Sequence, residues 1–308
     1  MPADPSTDLL LITCASGKQA SALLPLLPHW KNMRLVVHSP TSKTRLQSQY
    51  PHAEVLNTDL YSPTATSSLI RNANVVLHIG PSYHPHETEI GYMMIDAAVT
   101  AYDSGKGHLK HFILSSVLNT QLRKMMNHDC KRYVEEYVIE SGLPYTILQP
   151  TTFMDNLPIP VFMKEERPVF RCGWDTDIQF SWIALKDLAE GMNKVLEERE
   201  KHFSAQYPLV STHDTVSFAQ AISIIGDKLG KKIEVETALF KEAVDNLCLR
   251  VYGTTEGVDQ RSRDAAQRMI LFYDNRGLVG NPNVLEWLLG REATQFGEWV
   301  EGNMGEVK

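Results

Sequence analysis

Six short runs of β-branched and aliphatic residues recur along the first half of the chain, each separated from the next by a longer amphipathic stretch. They cover residues 9–13, 34–38, 53–57, 75–79, 111–115 and 145–149. This rhythm is that of parallel βαβ units, and it predicts an α/β fold built on a doubly wound parallel sheet. Runs such as Asn74-Val75-Val76-Leu77-His78-Ile79 are almost continuously apolar, as strands covered on both faces must be. Helices are expected over 87–104, where Ile90, Met94, Ile95, Ala98 and Val99 fall on one face, and over 127–141, which ends before Gly142.

After Gln149-Pro150 the rhythm changes. The segment PTTFMDNLPIPVF, with Pro150, Pro158 and Pro160, reads as a crossing loop. Beyond it a strand is expected near 180–183, a helix over 185–198 and a strand over 206–210. Ser217 then caps a helix, with Gln220 completing a capping box; Phe218, Ile222, Ile225 and Leu229 form its stripe and Gly230 its stop. Near the end Asn281 caps, Pro282 takes the first helical position and Gly290 closes. The expected organisation is a Rossmann domain over 1–150 and a smaller α+β lobe for substrate over 151–308, some of whose elements return to the sheet.

The chain is long enough for both, at 308 residues. Acidic residues number 37 against 30 basic ones, a formal charge of −7, without long like-charge runs. That argues against direct nucleic-acid binding and leaves open a complex with a DNA-binding protein. The start, MPADPSTD, has neither a basic nor an apolar leader region, and no stretch approaches a membrane span. Cys14, Cys130, Cys172 and Cys248 are scattered, without metal-ligand spacing. A reduced, cytoplasmic protein is expected, or a nuclear one if its role is regulatory.

The first run, LLLIT, leads straight into CASGKQA. At this junction a dinucleotide fold places glycines for a tight turn, for backbone approach to a pyrophosphate and for helix packing. Gly17 holds the middle place; Cys14 and Ala20 hold the outer two. Ala20 is a mild change, whereas a Cβ at position 14 restricts positive φ and crowds a ligand. Thr13, Ser16, Gly17, Lys18 and Gln19 are the candidate loop contacts, with the helix N-terminus behind them. Cys14 reads either as a redox sensor or as a small buried thiol. At the end of the second run, where an NAD-selective site carries Asp or Glu, stands His38-Ser39-Pro40-Thr41-Ser42-Lys43-Thr44-Arg45. With no carboxylate there, Ser39, Lys43 and Arg45 favour a 2′-phosphate, and so NADP(H) over NAD. Asp59 and Leu60 follow the third run, with Asp59 in reach of the adenine amino group. Gly80 and Pro81 let the backbone run along the cofactor after the fourth.

The segments CASGKQA, HIGPSYHPHETEIG, FILSSV, HDCKRYVEEYVIESGLPYTILQPTTFMDN and RGLVGNPNVLEWLLGRE together resemble the NmrA-like atypical, extended-type short-chain dehydrogenases, the fungal members in particular. The resemblance spans nearly the whole chain. It implies an extended Rossmann fold with NAD(P) in the crevice; the departures at Cys14 and Ala20 imply a cofactor bound weakly or structurally. Members include enzymes of small-molecule metabolism and dinucleotide-sensing regulators without turnover. Such dehydrogenases use a serine after the fifth strand and Tyr-x-x-x-Lys on the next helix. Here Ser115-Ser116 and Lys131 match, but the tyrosine position is Asn127, whose amide cannot exchange a proton at neutral pH. His128, Ser116 or water is left to supply the proton, with Lys131 as ribose anchor or as a surface lysine paired with Glu135. Tyr83, His84, Thr152, Phe153, Asn156 and Trp174 are the substrate candidates; His84-x-His86 lacks a third ligand, so no metal is expected. Three functions stay open: two enzymes of small-molecule, fungal secondary metabolism, either an NADP(H)-dependent reductase of a carbonyl or imine or a non-redox isomerase or rearrangement enzyme acting on a ring-bearing substrate, and a non-catalytic regulator with a transcription-factor partner.

Overall fold

The computed structural model describes residues 4–103 and 108–305. Residue Ser104, the expected end of one helix, lies outside the described residues, as does the beginning of the polar start. The chain divides into two compact units. The first takes the described residues of Met1–Thr120, Cys130–Gln149 and Leu188–Tyr207; the second takes Gln121–Asp129, Pro150–Asp187 and the described residues of Pro208–Lys308.

Six strands form where the apolar runs predicted them: β1 (Leu9–Ile12), β2 (Asn32–Val37), β3 (Glu54–Asn57), β4 (Val75–Ile79), β5 (His111–Ser115) and β6 (Tyr145–Pro150). Between them run α1 (Lys18–Leu23), α2 (Pro40–Gln49), α3 (Pro63–Ile70), α4 (Glu87–Asp103) and α5 (Met126–Glu140). β1 pairs in parallel with both β2 and β4, β2 with β3, β4 with β5 and β5 with β6. The strand Ala205–Leu209 lies beside β6 and completes a seven-stranded sheet. Expected at 206–210 in a lobe some of whose elements return to the sheet, this strand is one that does. Chain order reverses direction across the sheet between β1 and β4, the point at which such sheets open a crevice at their carboxyl ends.

All five residues of β4 and of β5 are buried, as their unbroken apolar character requires. On one face Leu11, Val76, Phe112 and Leu114 pack against Ile90, Met94 and Ala98 of α4 and Val134 and Val138 of α5. Gly91 lets α4 approach closely, since a Cβ there would sit 2.5 Å from a Val134 methyl.

In the second unit Thr152–Phe153 pairs with Trp182–Ile183, Val216–Ser217 with Gln179–Phe180, and Glu234–Thr237 with Val169–Cys172. The expected strand at 180–183 is thus two, interrupted at Ser181, whose N–H goes to Leu278 O and whose hydroxyl accepts the Gly280 N–H. Nor is the proline-bearing crossing segment irregular throughout. It holds a 3₁₀ turn, Met154–Asn156, and a helix, Ile159–Lys164, because Pro160 falls in the first turn where its missing N–H costs no bond. Ser217 and Gln220 close a capping box, with Gly230 in the left-handed conformation at the far end. The tail helix starts one residue later than expected, at Asn283, with Pro282 at its cap and Asn281 accepting the Asn283 N–H. The tail is anchored by the buried Asp187 carboxylate, which accepts from Ser211 Oγ, Arg291, and both Thr294 N–H and Oγ1.

Candidate functional site

The turn after β1 forms without its first glycine. Cys14 takes φ +48°, a left-handed conformation that costs an L-residue about 1–2 kcal/mol, and its side chain packs against the core. Ala15 N–H donates to Val36 O and Gly17 N–H to Cys14 O, each at 2.9 Å, which fixes the loop from both sides. A Cβ on Gly17 would lie 3.1 Å from Cys14 O, so the retained glycine answers to that carbonyl. Ser16 is half-buried at the mouth of α1, with Gly17 and Lys18 exposed beside it. Burial, then the neighbouring Glu87 charge, pushes the Cys14 thiol up to about 12, and the same two causes do so for Cys130. Half-buried and held protonated at neutral pH, these thiols suit packing better than redox sensing. Both should resist a thiol-specific disulfide reagent at pH 8 in the native protein, counted against C14A and C130A controls, and react only on denaturation. Rapid native labelling of either would contradict this.

Two of the expected loop contacts serve the scaffold. Thr13 is fully buried; its Oγ1 accepts Ile79 N–H at 2.8 Å and lies 3.0 Å from Ile79 O and from His78 Nδ1. Gln19 reaches from α1 to β5, where its Oε1 accepts the Ser115 hydroxyl at 2.7 Å. Both therefore clamp neighbouring strands where the sheet changes direction.

Beyond that clamp, at the carboxyl ends of β4 and β5, is a small recess of about 10 Å³, room for about one water. His78, Gly80, Glu87, Ser115, Ser116 and Lys131 line it, with Leu114 and Val134 at its back. It brings together three residues that the sequence singled out, Gly80, Ser116 and Lys131. Ser116 is 6% exposed, and its Oγ has no hydrogen-bond partner among the described residues. Such a hydroxyl is free to meet a ligand, and unsatisfied it costs roughly 1–3 kcal/mol. Burial, then the Lys131 charge, pushes His78 down to about 3, so its imidazole is neutral.

Glu87, which sequence reasoning missed, organises this recess. It opens α4 and is 5% exposed, and its carboxylate forms an ion pair with Lys131 Nζ. The same carboxylate accepts Tyr83 N–H at 3.2 Å and a weak bond from Cys130 Sγ at 3.7 Å. Lys131 is thus no surface lysine paired with Glu135. Glu135 is instead engaged by Thr120 Oγ1 and Gln149 Nε2. Burial opposes the charge on Lys131, but Glu87, with Cys130 and Tyr83, outweighs it and raises the ammonium pKa. One signal in the sequence did point to Glu87: a carboxylate at a helix start, directly after the loop Gly80-Pro81-Ser82-Tyr83-His84-Pro85-His86 on the carboxyl edge.

The other expected contacts are more dispersed. Ser39 caps α2, accepting Ser42 N–H at 3.2 Å and donating to Ser42 Oγ, while Lys43 and Arg45 are exposed on that helix. Asp59 accepts Tyr61 N–H at 2.9 Å, and Leu60 belongs to the core. Pro81 is half-buried beside Gly80, and Tyr83 takes φ +67°. His84 accepts His86 N–H; burial, then His86, lowers its pKa. His128 does not line the recess: it is 1% exposed, in the portion of α5 that belongs to the second unit. Within that unit Thr152 and Phe153 are half-buried in their two-residue strand and Asn156 is exposed. Trp174 packs its ring 5.3 Å from Phe218 and 5.1 Å from Tyr273, in an aromatic cluster with Phe180. Among the described residues, no group of three or more His, Cys, Asp or Glu side chains could hold a metal ion, and no helix is long and apolar enough to cross a membrane.

Known proteins share this fold. An NAD(P)H azoreductase of Xenophilus azovorans is 22% identical over 251 residues, 80% of each chain. The triphenylmethane reductase of Citrobacter sp., solved with NADP(H), superposes with a TM-score of 0.74 at 19% identity, covering 95% of this chain and 99% of that one. NmrA, a negative transcriptional regulator solved with NADP, gives a TM-score of 0.70 at 18% identity, with 96% and 94% covered. These likenesses confirm the doubly wound fold, and the model of the NmrA-like family matches residues 6–301. The chain belongs to the NmrA-like family.

Proposed function

We propose that this protein is a reductase that binds NADP(H) along the carboxyl edge of its sheet and reduces a small ring-bearing substrate. One observation carries the reading: Gly80, Ser116 and Lys131 converge in a recess whose serine hydroxyl is buried and unpartnered. The residues fit the cofactor. The turn at Cys14 keeps its left-handed form and turns its side chain to the core, so its Cβ leaves the mouth of α1 open to a pyrophosphate. Lys131 would hold ribose hydroxyls, and Ser116 the nicotinamide end or the substrate. The bound cofactor supplies hydride. The Asn127 amide does not exchange a proton near neutral pH, so Ser116, relaying from solvent, takes the tyrosine's place in this scheme. The azoreductase and the triphenylmethane reductase support the choice of extended, electron-accepting aromatic substrates.

Loss of the nicotinamide absorbance with a panel of quinones, azo dyes and triphenylmethane dyes tests this. Oxidation with at least one substrate is expected. If the protein binds NADPH but oxidises it with none of them, it is not this reductase. Asn127 also favours a second reading, a dinucleotide-sensing regulator like NmrA, which predicts a stable protein partner and no turnover. Consumption of a substrate with unchanged nicotinamide absorbance would instead mark an isomerase.

Selectivity for the phosphorylated cofactor has its own check. Lys43 and Arg45 follow a strand end without a carboxylate. The double variant K43A/R45A should weaken NADPH binding about tenfold and leave NADH unchanged, since each charged hydrogen bond is worth about 1.5–3 kcal/mol at best and less when exposed. Equal loss for the two cofactors would place the 2′-phosphate elsewhere.

A further inference from the structure

We propose that Glu87 is a positioning residue that holds Lys131 as a fixed, permanently charged anchor in the recess, so that Lys131 binds ligand hydroxyls and does not act as a proton-transfer base. The proposal deepens the reading of the recess as the cofactor's ribose site.

In the tyrosine-containing pattern, a lysine works together with a phenol one turn away on its own helix. Here the helix offers Asn127 at that place, and the lysine's partner comes from another element, the first residue of α4. The Glu87 carboxylate is held on three sides: by the Lys131 ammonium, by Tyr83 N–H in a left-handed backbone turn, and by the Cys130 thiol. A buried carboxylate so surrounded cannot swing away, and it fixes the lysine in turn. The side chains facing the pair from every neighbouring element leave its charge undisturbed near neutrality. Those are Cys14 from the turn after β1, His78 from β4, Tyr83 and His84 from the loop and Cys130 from α5. Both thiols stand at about 12 and His78 at about 3, so none of these three titrates between pH 6 and 9, and burial lowers His84 from the ordinary imidazole value.

Removing the carboxylate while keeping its shape exposes what it does. In Glu87→Gln the ammonium loses its counter-charge, and burial alone then drives it toward the neutral amine. NADPH affinity is measured by fluorescence from pH 6 to 9 and expressed as the ratio of variant to wild-type Kd, which cancels titration of the ligand itself. The ratio for E87Q should rise about tenfold across that range, the loss expected when the amine deprotonates within it. Glu87→Asp, which keeps the charge, should restore a flat ratio, and K131M should bind weakly with a flat ratio. A purely structural carboxylate would lower the melting temperature of E87Q and leave its ratio flat; that outcome overturns the proposal. Should E87Q not fold, ¹⁵N NMR of lysine-labelled wild type, with K131M for assignment, decides the point. The Lys131 nitrogen is expected to stay charged through pH 10, and a neutral amine below pH 9 overturns the proposal. The NMR readout needs no cofactor, so it stands even if the wild type binds no dinucleotide, a result that would remove the ribose-site reading alone.

Discussion

Lys131→Met is expected to destabilise the protein, without any ligand, by about 3–5 kcal/mol, because it leaves the Glu87 carboxylate buried and unpaired. The remaining partners, Tyr83 N–H and Cys130 Sγ, carry no full positive charge. The side chain of Lys131 is only 13% exposed, so water cannot take over the ammonium's role. The effect belongs to the stranded charge and not to lost methylenes, since methionine keeps most of the lysine stem. The double variant E87Q/K131M should therefore recover most of the loss. Urea unfolding of the four proteins of this cycle gives the coupling directly. A single-variant cost below about 1 kcal/mol, or a double variant no better than the single, would show that the pair is solvated and not the organising contact of the recess.

Gly277→Ala should be comparably severe in the second unit. A Cβ at this position would overlap the Gln179 carbonyl carbon and oxygen. The obstacle is backbone, and it is pinned by the bonds linking Ser181 to Leu278 and Gly280. No rotamer change relieves it, so two segments must part. A loss of about 3 kcal/mol is expected, at the upper end for overpacking by one methyl. Gly297→Ala, where a Cβ meets nothing within 4 Å, is the control and should change stability by less than about 1 kcal/mol. If the two variants unfold at the same urea concentration, the close approach at Gly277 is not tight in solution.

Much of the sheet was legible because burial on both faces writes itself as uninterrupted apolar runs; β4 and β5 match their expected bounds throughout. What the runs did not reveal is which sheet a strand joins: Ala205–Leu209 follows the helix Leu185–Glu198 in sequence yet pairs beside β6. Prolines hid the helix Ile159–Lys164, since a proline at a helix start and one in a loop look alike without their neighbours. At the site, Gly80, Ser116 and Lys131 could be named because their place after strands, or on the helix that follows, is set by chain order. Thr13, Gln19, Ser39 and Asp59 have suitable chemistry and are also engaged within the protein, Gln19 by the Ser115 hydroxyl and the others by backbone N–H groups, which no spacing rule foretells. Glu87 was missed for a different reason: its partner is 44 residues away, on another helix, and tertiary ion pairs leave no periodicity.

The turn at Cys14 bears on how nucleotide-binding chains are found. Its backbone adopts φ +48° with a thiol in place of a hydrogen, held by the Ala15 and Gly17 amides. Two neighbouring hydrogen bonds thus do by tethering what glycine does by freedom, at a strain small enough for the rest of a domain to absorb. A search pattern that insists on glycine there reads residue identity where this chain meets the need with a torsion angle alone. Chains whose first turn is tethered in this way will pass through such a filter unseen.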